Sequence, residues 1–133
     1  MKKLSFGMTK GELEAILEEA DLDYFYAQED EEEYLCIEDS RYYCYFDDQK
    51  LFCSLRIQDG TSRDGRFALE MDLAELEKSV NDIGETLLKS VNEEVYDIYS
   101  YVDTEQETHY MFYVYENKVT VIWEMALEIC ICR

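Results

Sequence analysis

The fold is decided by Met-Thr-Lys-Gly-Glu-Leu at residues 8–13 and Met-Asp-Leu-Ala-Glu-Leu at residues 71–76, which carry the same helix-start signal. In each stretch a Thr or Asp is followed three residues later by Glu, so side chains and backbone N–H groups can satisfy each other in a capping box. The Met before the cap and the Leu five positions later form a hydrophobic staple. The pattern predicts helices that begin after Thr9 and after Asp72.

Each predicted helix is followed by a run of strands. The first helix should bury Leu13 and Leu17 and end near Asp21. The second should be longer, with apolar residues at helical spacing as far as Val91 and a weak point at Gly84. Alternating apolar and aromatic residues predict strands over 24–28, 33–37, 41–46 and 51–57 after the first helix, and over 95–102, 108–115 and 119–132 after the second.

The two halves of the chain can be laid over each other. The predicted hairpin at 41–51 matches the one at 109–119, which we interpret as an internal duplication; coincidence between two acidic, Tyr-rich segments is the alternative. The sequence therefore predicts an α+β fold of two helix-then-antiparallel-sheet units in tandem, expected to form one continuous sheet with helices on one face. The units are 1–58 and 67–133, joined by a polar loop at 59–66 within one compact domain.

The composition is strongly acidic. The 133 residues include 32 Asp and Glu against 12 Lys and Arg, which gives a formal net charge of −20. Such a charge repels the phosphate backbone of nucleic acids and anionic membranes. The electrostatically natural partner is a basic protein, and the alternative is that the charge serves only solubility.

The sequence also predicts a cytoplasmic location. No secretory signal follows Met1, and no apolar run reaches the length needed to span a bilayer. Five cysteines, an odd number, are expected to be reduced thiols in a reducing compartment.

Candidate catalytic and metal-binding residues are few. The single histidine, His109, lies at the start of a predicted strand, with no Gly-flanked Ser or Cys to indicate a nucleophile. Cys130 and Cys132 form the only close cysteine pair, and a second pair for zinc is missing. No Gly-rich phosphate loop is present. We therefore predict no catalysis, no cofactor and no metal site; an enzyme would need His109 or a carboxylate cluster in a pocket.

The densest charge is the acidic run at 29–33, which lacks the alternating ligands and the glycine turn of a calcium loop. It is either a solvated connection or one edge of a negative binding patch. Tyrosines on the adjoining strands would supply buried contacts. The residues predicted to bind a partner are Asp21, Asp23, Glu29, Asp30, Glu31, Glu32, Glu33, Glu38, Asp39, Asp47, Asp48, Tyr42, Tyr43 and Tyr45.

A short motif resembles a known family. Gly-Met-Thr-x-x-Glu-Leu-x-x-Ile-Leu at residues 7–17 is similar to the opening of β-lactamase inhibitor protein-like and outer-membrane lipoprotein SmpA-like domains, and residues 43–51 resemble their hairpin. The resemblance covers mainly residues 4–57. In the second half Asp72 replaces the Thr and no Gly precedes Met71. The resemblance implies a scaffold for protein–protein contact, without the periplasmic roles of those families and without transferable binding residues.

Three functional hypotheses follow. The first is an inhibitor or immunity-type antagonist that caps a basic protein, such as a nuclease toxin or another nucleic-acid-handling protein. The second is a chaperone or adaptor that holds a client segment along a sheet edge or helix groove; small acidic type III secretion chaperone-like proteins resemble this chain in the order of their elements. The third is an enzyme that uses His109 or a carboxylate cluster in a pocket.

Overall fold

The structure is a computed structural model that describes residues 4–37, 41–90 and 96–127. Within these residues two helices and eight strands follow one another in the order α1, β1 to β4, α2, β5 to β8. Their bounds are α1 Lys10–Glu19, β1 Tyr24–Glu29, β2 Glu32–Ile37, β3 Tyr42–Phe46, β4 Phe52–Ile57, α2 Leu73–Asp82, β5 Leu88–Lys89, β6 Asp97–Asp103, β7 Thr108–Tyr115 and β8 Lys118–Ala126.

Both predicted helix starts are confirmed. The backbone N–H of Glu12 donates to Thr9 Oγ1 at 3.2 Å, and the N–H of Thr9 donates to Glu12 Oε1 at 2.9 Å. Asp72 and Glu75 form the same reciprocal pair at 2.8 and 3.2 Å. Two otherwise unpaired backbone donors are satisfied at each helix start. Among the described residues, no helix is both long enough and apolar enough to cross a membrane.

The second helix is shorter than the sequence predicts. It ends at Asp82, because Gly84 adopts φ of +81° and reverses the chain. The N–H of Gly84 donates to Asn81 at 2.9 Å and the N–H of Glu85 donates to Val80 at 3.2 Å, which is the Schellman arrangement that closes a helix at glycine. Strand β5 occupies part of the segment predicted as helix, and Val91 lies outside the described residues.

The predicted fold class, two helix-then-antiparallel-sheet units in tandem with helices on one face, is wrong. The strands form one eight-stranded sheet in the order β1-β2-β3-β4-β8-β7-β6-β5, and this sheet dominates the molecule. Strand β4 pairs antiparallel with β8, from Ser54 opposite Met125 to Ile57 opposite Ile122. This pairing satisfies the backbone groups of both strands. The helices are short beside the sheet, because part of the segment predicted as the second helix forms β5 instead.

One hydrophobic core lies against one side of this sheet, which we call the core face. Alternate residues of the central strands, such as Leu55 and Ile122, are fully buried there. The same core contains Leu13 from α1, Leu76 from α2 and Phe67 from the segment before α2. Elements from both halves of the chain therefore share one core.

A buried ion pair fastens the loop between the two halves to the centre of the sheet. Glu124 of β8 is 0% exposed and accepts from Arg63 Nε at 2.7 Å and from the Arg63 backbone N–H at 2.9 Å. The same guanidinium donates to the carbonyl of Leu4 at 2.8 Å and lies 4.1 Å from the ring of Phe6. One arginine thus connects the loop, the N-terminal segment and β8.

Replacing Glu124 by Gln is expected to lower the free energy of unfolding by about 3–5 kcal/mol, because the substitution leaves the guanidinium of Arg63 buried without its counter-charge. Urea denaturation measures the change. Lys78→Gln, which removes the exposed ion pair between Lys78 and Asp82, is the control and should change stability by less than about 0.5 kcal/mol. A loss of less than about 1 kcal/mol for Glu124→Gln would show that the pair does not hold the loop in place.

Candidate functional site

The side of the sheet opposite the core face carries two rows of side chains that cross the molecule. Strand register and the alternation of side chains place these residues together, and we call their surface the open face. None of them belongs to the hydrophobic core cluster. The rows are Phe25, Cys36, Tyr43, Arg56, Trp123, Met111, Ser100 and Leu88, and beside them Ala27, Tyr34, Tyr45, Ser54, Met125, His109 and Val102.

The open face is apolar and aromatic, although the protein is strongly acidic. None of the residues in its two rows is Asp or Glu, whereas the whole chain has 32 of them. Arg56 and His109 are the only members of the rows that can carry a positive charge. A surface kept soluble by charge alone would be expected to carry carboxylates in these two rows, so their composition is that of a contact surface.

Four aromatic rings form a connected cluster at the centre of the open face. The ring of Tyr34 lies 5.6 Å from that of Tyr43 and 5.4 Å from that of Tyr45. Tyr45 continues to Trp123 with ring centroids 5.5 Å apart. These distances lie within the range of favourable aromatic pairs. We call these four residues the aromatic cluster; its rings support one another as a pre-formed surface.

Arg56 lies among these rings. Its guanidinium carbon is 4.6 Å from the ring centroid of Tyr43, 5.8 Å from that of Trp123 and 5.9 Å from that of Tyr45. Its Nε atom is buried, and among the described residues no group accepts a hydrogen bond from it. The guanidinium is therefore held by cation–π contacts and not by a carboxylate of the described residues.

Acidic residues lie at one end of the open face. Glu29 and Glu32 lie opposite each other where β1 ends and β2 begins, next to the pair formed by Gln28 and Glu33. Burial, with smaller contributions from the negative charges of Glu32 and Glu29, raises the pKa of Tyr45 to about 12, and the positive charge of Arg56 acts in the opposite direction. The acidic β1–β2 turn is thus close enough to act electrostatically on the aromatic cluster.

The structure brings six of the predicted carboxylates together in an open cleft of about 590 Å³ beside this turn. They come from the β1–β2 and β3–β4 turns: Asp30, Glu31, Glu32, Glu33, Asp47 and Asp48. Two lysines share the cleft, and Lys10 forms an ion pair with Glu33 that lowers the pKa of this carboxylate. The predicted negative patch exists in this part of the chain, but it is partly neutralised.

The remaining predicted residues lie elsewhere. Asp21 and Asp23 are exposed between α1 and β1 and do not line the acidic cleft. Glu38 and Asp39 lie outside the described residues.

Tyr42, which the sequence predicts to bind a partner, is instead buried. It is 3% exposed on the core face, and its hydroxyl donates to the carbonyl of Thr61. Strand alternation explains why Tyr42 points inward while its neighbour Tyr43 points outward.

The structure places His109 in the second row of the open face. It lies half-buried in the open face, opposite Met125 on β8 and Val102 on β6, and burial lowers its pKa. Within the described ranges, no group of three or more His, Cys, Asp or Glu side chains is placed to hold a metal ion. Cys130 and Cys132 lie outside these ranges.

The sequence reasoning missed three residues of the site: Tyr34, Arg56 and Trp123. A signal for Arg56 was present, because Leu55 and Ile57 are apolar on either side of it and a strand must turn it to the opposite face. The contact of Trp123 with the first half of the chain depends on the pairing of β4 with β8, which no local pattern encodes.

Comparisons with protein-family models, characterised proteins and solved structures found no match to the chain. The resemblance of residues 4–57 to β-lactamase inhibitor protein-like and SmpA-like domains therefore stays a prediction, as does the internal duplication.

The burial of His109 predicts a pH-dependent contribution to stability. Its pKa is lowered from 6.5 in the folded state, so the unfolded chain binds this proton more readily. Neutral His109 makes its full contribution to the free energy of unfolding above pH 6.5. This contribution decreases as the pH falls from 6.5 through the lower pKa of the folded state. The free energy of unfolding of the parent protein should therefore fall relative to that of His109→Gln between about pH 7 and about pH 5. Urea denaturation of both proteins measures this; a difference that stays constant with pH would contradict it.

Proposed function

We propose that this protein is a non-catalytic antagonist that binds a basic protein partner on its open face. The partner class is a nuclease toxin or another nucleic-acid-handling protein, which would make this chain an inhibitor or immunity-type protein. The observation that carries the proposal is a pair of cross-sheet rows that contain no Asp or Glu and are rich in aromatic side chains, on a protein of net charge −20.

The aromatic cluster supplies the contact chemistry. Tyr, Trp, Met and Arg are the residue types enriched at the centres of protein interfaces, and Tyr43, Arg56, Met111 and Trp123 lie opposite one another across four neighbouring strands. These side chains are half-buried before any partner binds, so little conformational freedom is lost when one covers them.

The surrounding charge supplies the steering. A net charge of −20 attracts a basic protein over distances beyond contact and accelerates association at low salt. Glu29 and Glu32 mark the end of the open face where lysines or arginines of the partner would meet carboxylates. A protein that binds nucleic acid presents such a cationic surface, because its ligand is read through phosphates.

The proposal places this protein in the cytoplasm. The buried thiol of Cys44, whose pKa burial raises to about 12, is unreactive and suits a small core residue in a reducing compartment.

A chaperone or adaptor is the second candidate, favoured by one observation. Strand β1, Tyr24–Glu29, lies at the edge of the sheet and pairs only with β2 among the described strands. An extended client segment could add to it as a further strand. Binding of this kind would depend on the edge backbone of β1 and would survive changes to the aromatic cluster.

The proposed function is tested with Tyr43→Ala and Trp123→Ala. Each truncates a ring of the aromatic cluster and is expected to weaken capture of the partner by at least about tenfold. Tyr115→Ala is the matched control, since Tyr115 is 43% exposed at the end of β7 and outside the two rows. The tagged proteins are incubated with extract of the source cell, and bound proteins are quantified by mass spectrometry after thermal unfolding has shown that all variants fold.

The expected outcome is a protein with an isoelectric point above about 9 that the parent and Tyr115→Ala retain and the two open-face variants lose. Its association rate should fall by about tenfold or more between 50 and 500 mM salt. Retention by all four proteins would favour the edge-strand chaperone. The proposal would be overturned if the proteins that the two open-face variants fail to retain were all neutral or acidic. An association rate that does not change with salt would overturn it as well.

A further inference from the structure

The surroundings of Arg56 indicate a feature of the partner that the net charge of this protein does not. The guanidinium is the one fixed positive charge in the two rows of the open face, and it lies among the rings of Tyr43, Tyr45 and Trp123 at 4.6 to 5.9 Å. Among the described residues no carboxylate forms an ion pair with it, and its buried Nε–H has no acceptor. The chain has 32 acidic residues, yet Arg56 forms no ion pair with any of those that the structure describes, which is a specific arrangement.

A partner that covers the open face removes water from this guanidinium. Desolvating a charge without supplying an acceptor is costly enough to cancel the gain from the surrounding apolar contacts. A carboxylate meets the need best, because its two oxygens match the donor fork of arginine. The rings limit the rotation of the guanidinium, so the fork is already oriented.

We infer that Arg56 is the receptor for one carboxylate side chain, Asp or Glu, that the partner inserts between the rings of Tyr43 and Trp123. The inference rests on the proposed function and adds a specificity determinant to it. The partner is basic as a whole, which governs approach, yet it presents a single acidic residue at the centre of the contact. Wrong basic proteins, which lack that residue, leave Arg56 desolvated and unpaired and are rejected.

The test uses displayed random peptides as probes, selected against the immobilised parent protein, Arg56→Gln, Arg56→Lys and Trp123→Ala. Peptides that bind the parent should be enriched in Asp or Glu next to apolar residues, although the net charge of −20 repels acidic peptides. The enrichment should vanish with Arg56→Gln and weaken with Arg56→Lys, which keeps the charge but lacks the fork. Tyr115→Ala is the control and should select the same peptides as the parent.

A synthetic selected peptide then identifies the source of the carboxylate. Asp→Asn in the peptide should weaken binding to the parent by at least about tenfold and to Arg56→Gln by less than about twofold. Amidation of the peptide C-terminus should leave both affinities unchanged, which separates a side chain from a terminal carboxylate. The inference would be overturned if Asp→Asn weakened binding to the parent and to Arg56→Gln equally. It would also be overturned if amidation of the C-terminus, and not Asp→Asn, weakened binding.

The two proposals fail in different ways. Peptides that need Trp123 but carry no acidic residue would overturn the role of Arg56 and leave the open face as the binding surface. Peptides that bind Trp123→Ala as well as the parent would count against the open face itself, and with it against the inference. Enrichment of phosphorylated over carboxylate peptides in a parallel selection would assign Arg56 to a phosphate and would equally overturn the inference.

Discussion

The buried pair of Arg63 and Glu124 is the interaction on which the rest of the structure depends. Glu124 lies on the core face of β8, opposite Leu55 and Tyr110 in the middle of the sheet, where an isolated carboxylate would be strongly destabilising. Arg63 reaches it from the loop at 59–66 and also donates to the carbonyl of Leu4. The loop between the halves therefore lies against the core face, where this pair fixes it to the middle of β8.

The two faces of the sheet consequently have different chemistry. On the core face, polar groups are paired, as in Glu124 with Arg63. On the open face the rings of Tyr43, Tyr45 and Trp123 surround the guanidinium of Arg56, with which no carboxylate of the described residues forms an ion pair. Glu29 and Glu32, whose charges act on the aromatic cluster at Tyr45, lie at one end of the open face, and the proposed function assigns them to steering. Solubility accounts for the number of acidic residues but not for their absence from the two rows of the open face.

The local features of the fold could be predicted from the sequence, and the long-range ones could not. Capping boxes at Thr9 and Asp72 and the alternation of residues along β3 and β7 are encoded within a few positions, so helix starts and strands were found. The fold class was wrong because one sheet dominates the molecule and the two described helices are short, the second ending at Asp82 before Gly84. The pairing of β4 with β8 joins distant residues and is absent from local patterns. The same reason hid the site: Tyr43 was recognised from its strand, whereas its neighbours Arg56 and Trp123 required the register of the assembled sheet.

The central claim is that the open face is the binding surface, and the single tryptophan of the chain, Trp123, lies on it. The most direct measurement is the ¹⁹F spectrum of the protein labelled with 5-fluorotryptophan, titrated with the basic protein that it captures. We expect the resonance of Trp123 to shift and to lose its response to a soluble paramagnetic relaxation agent at saturation, because the partner covers the ring. An unchanged resonance with unchanged solvent access in the saturated complex would contradict the account.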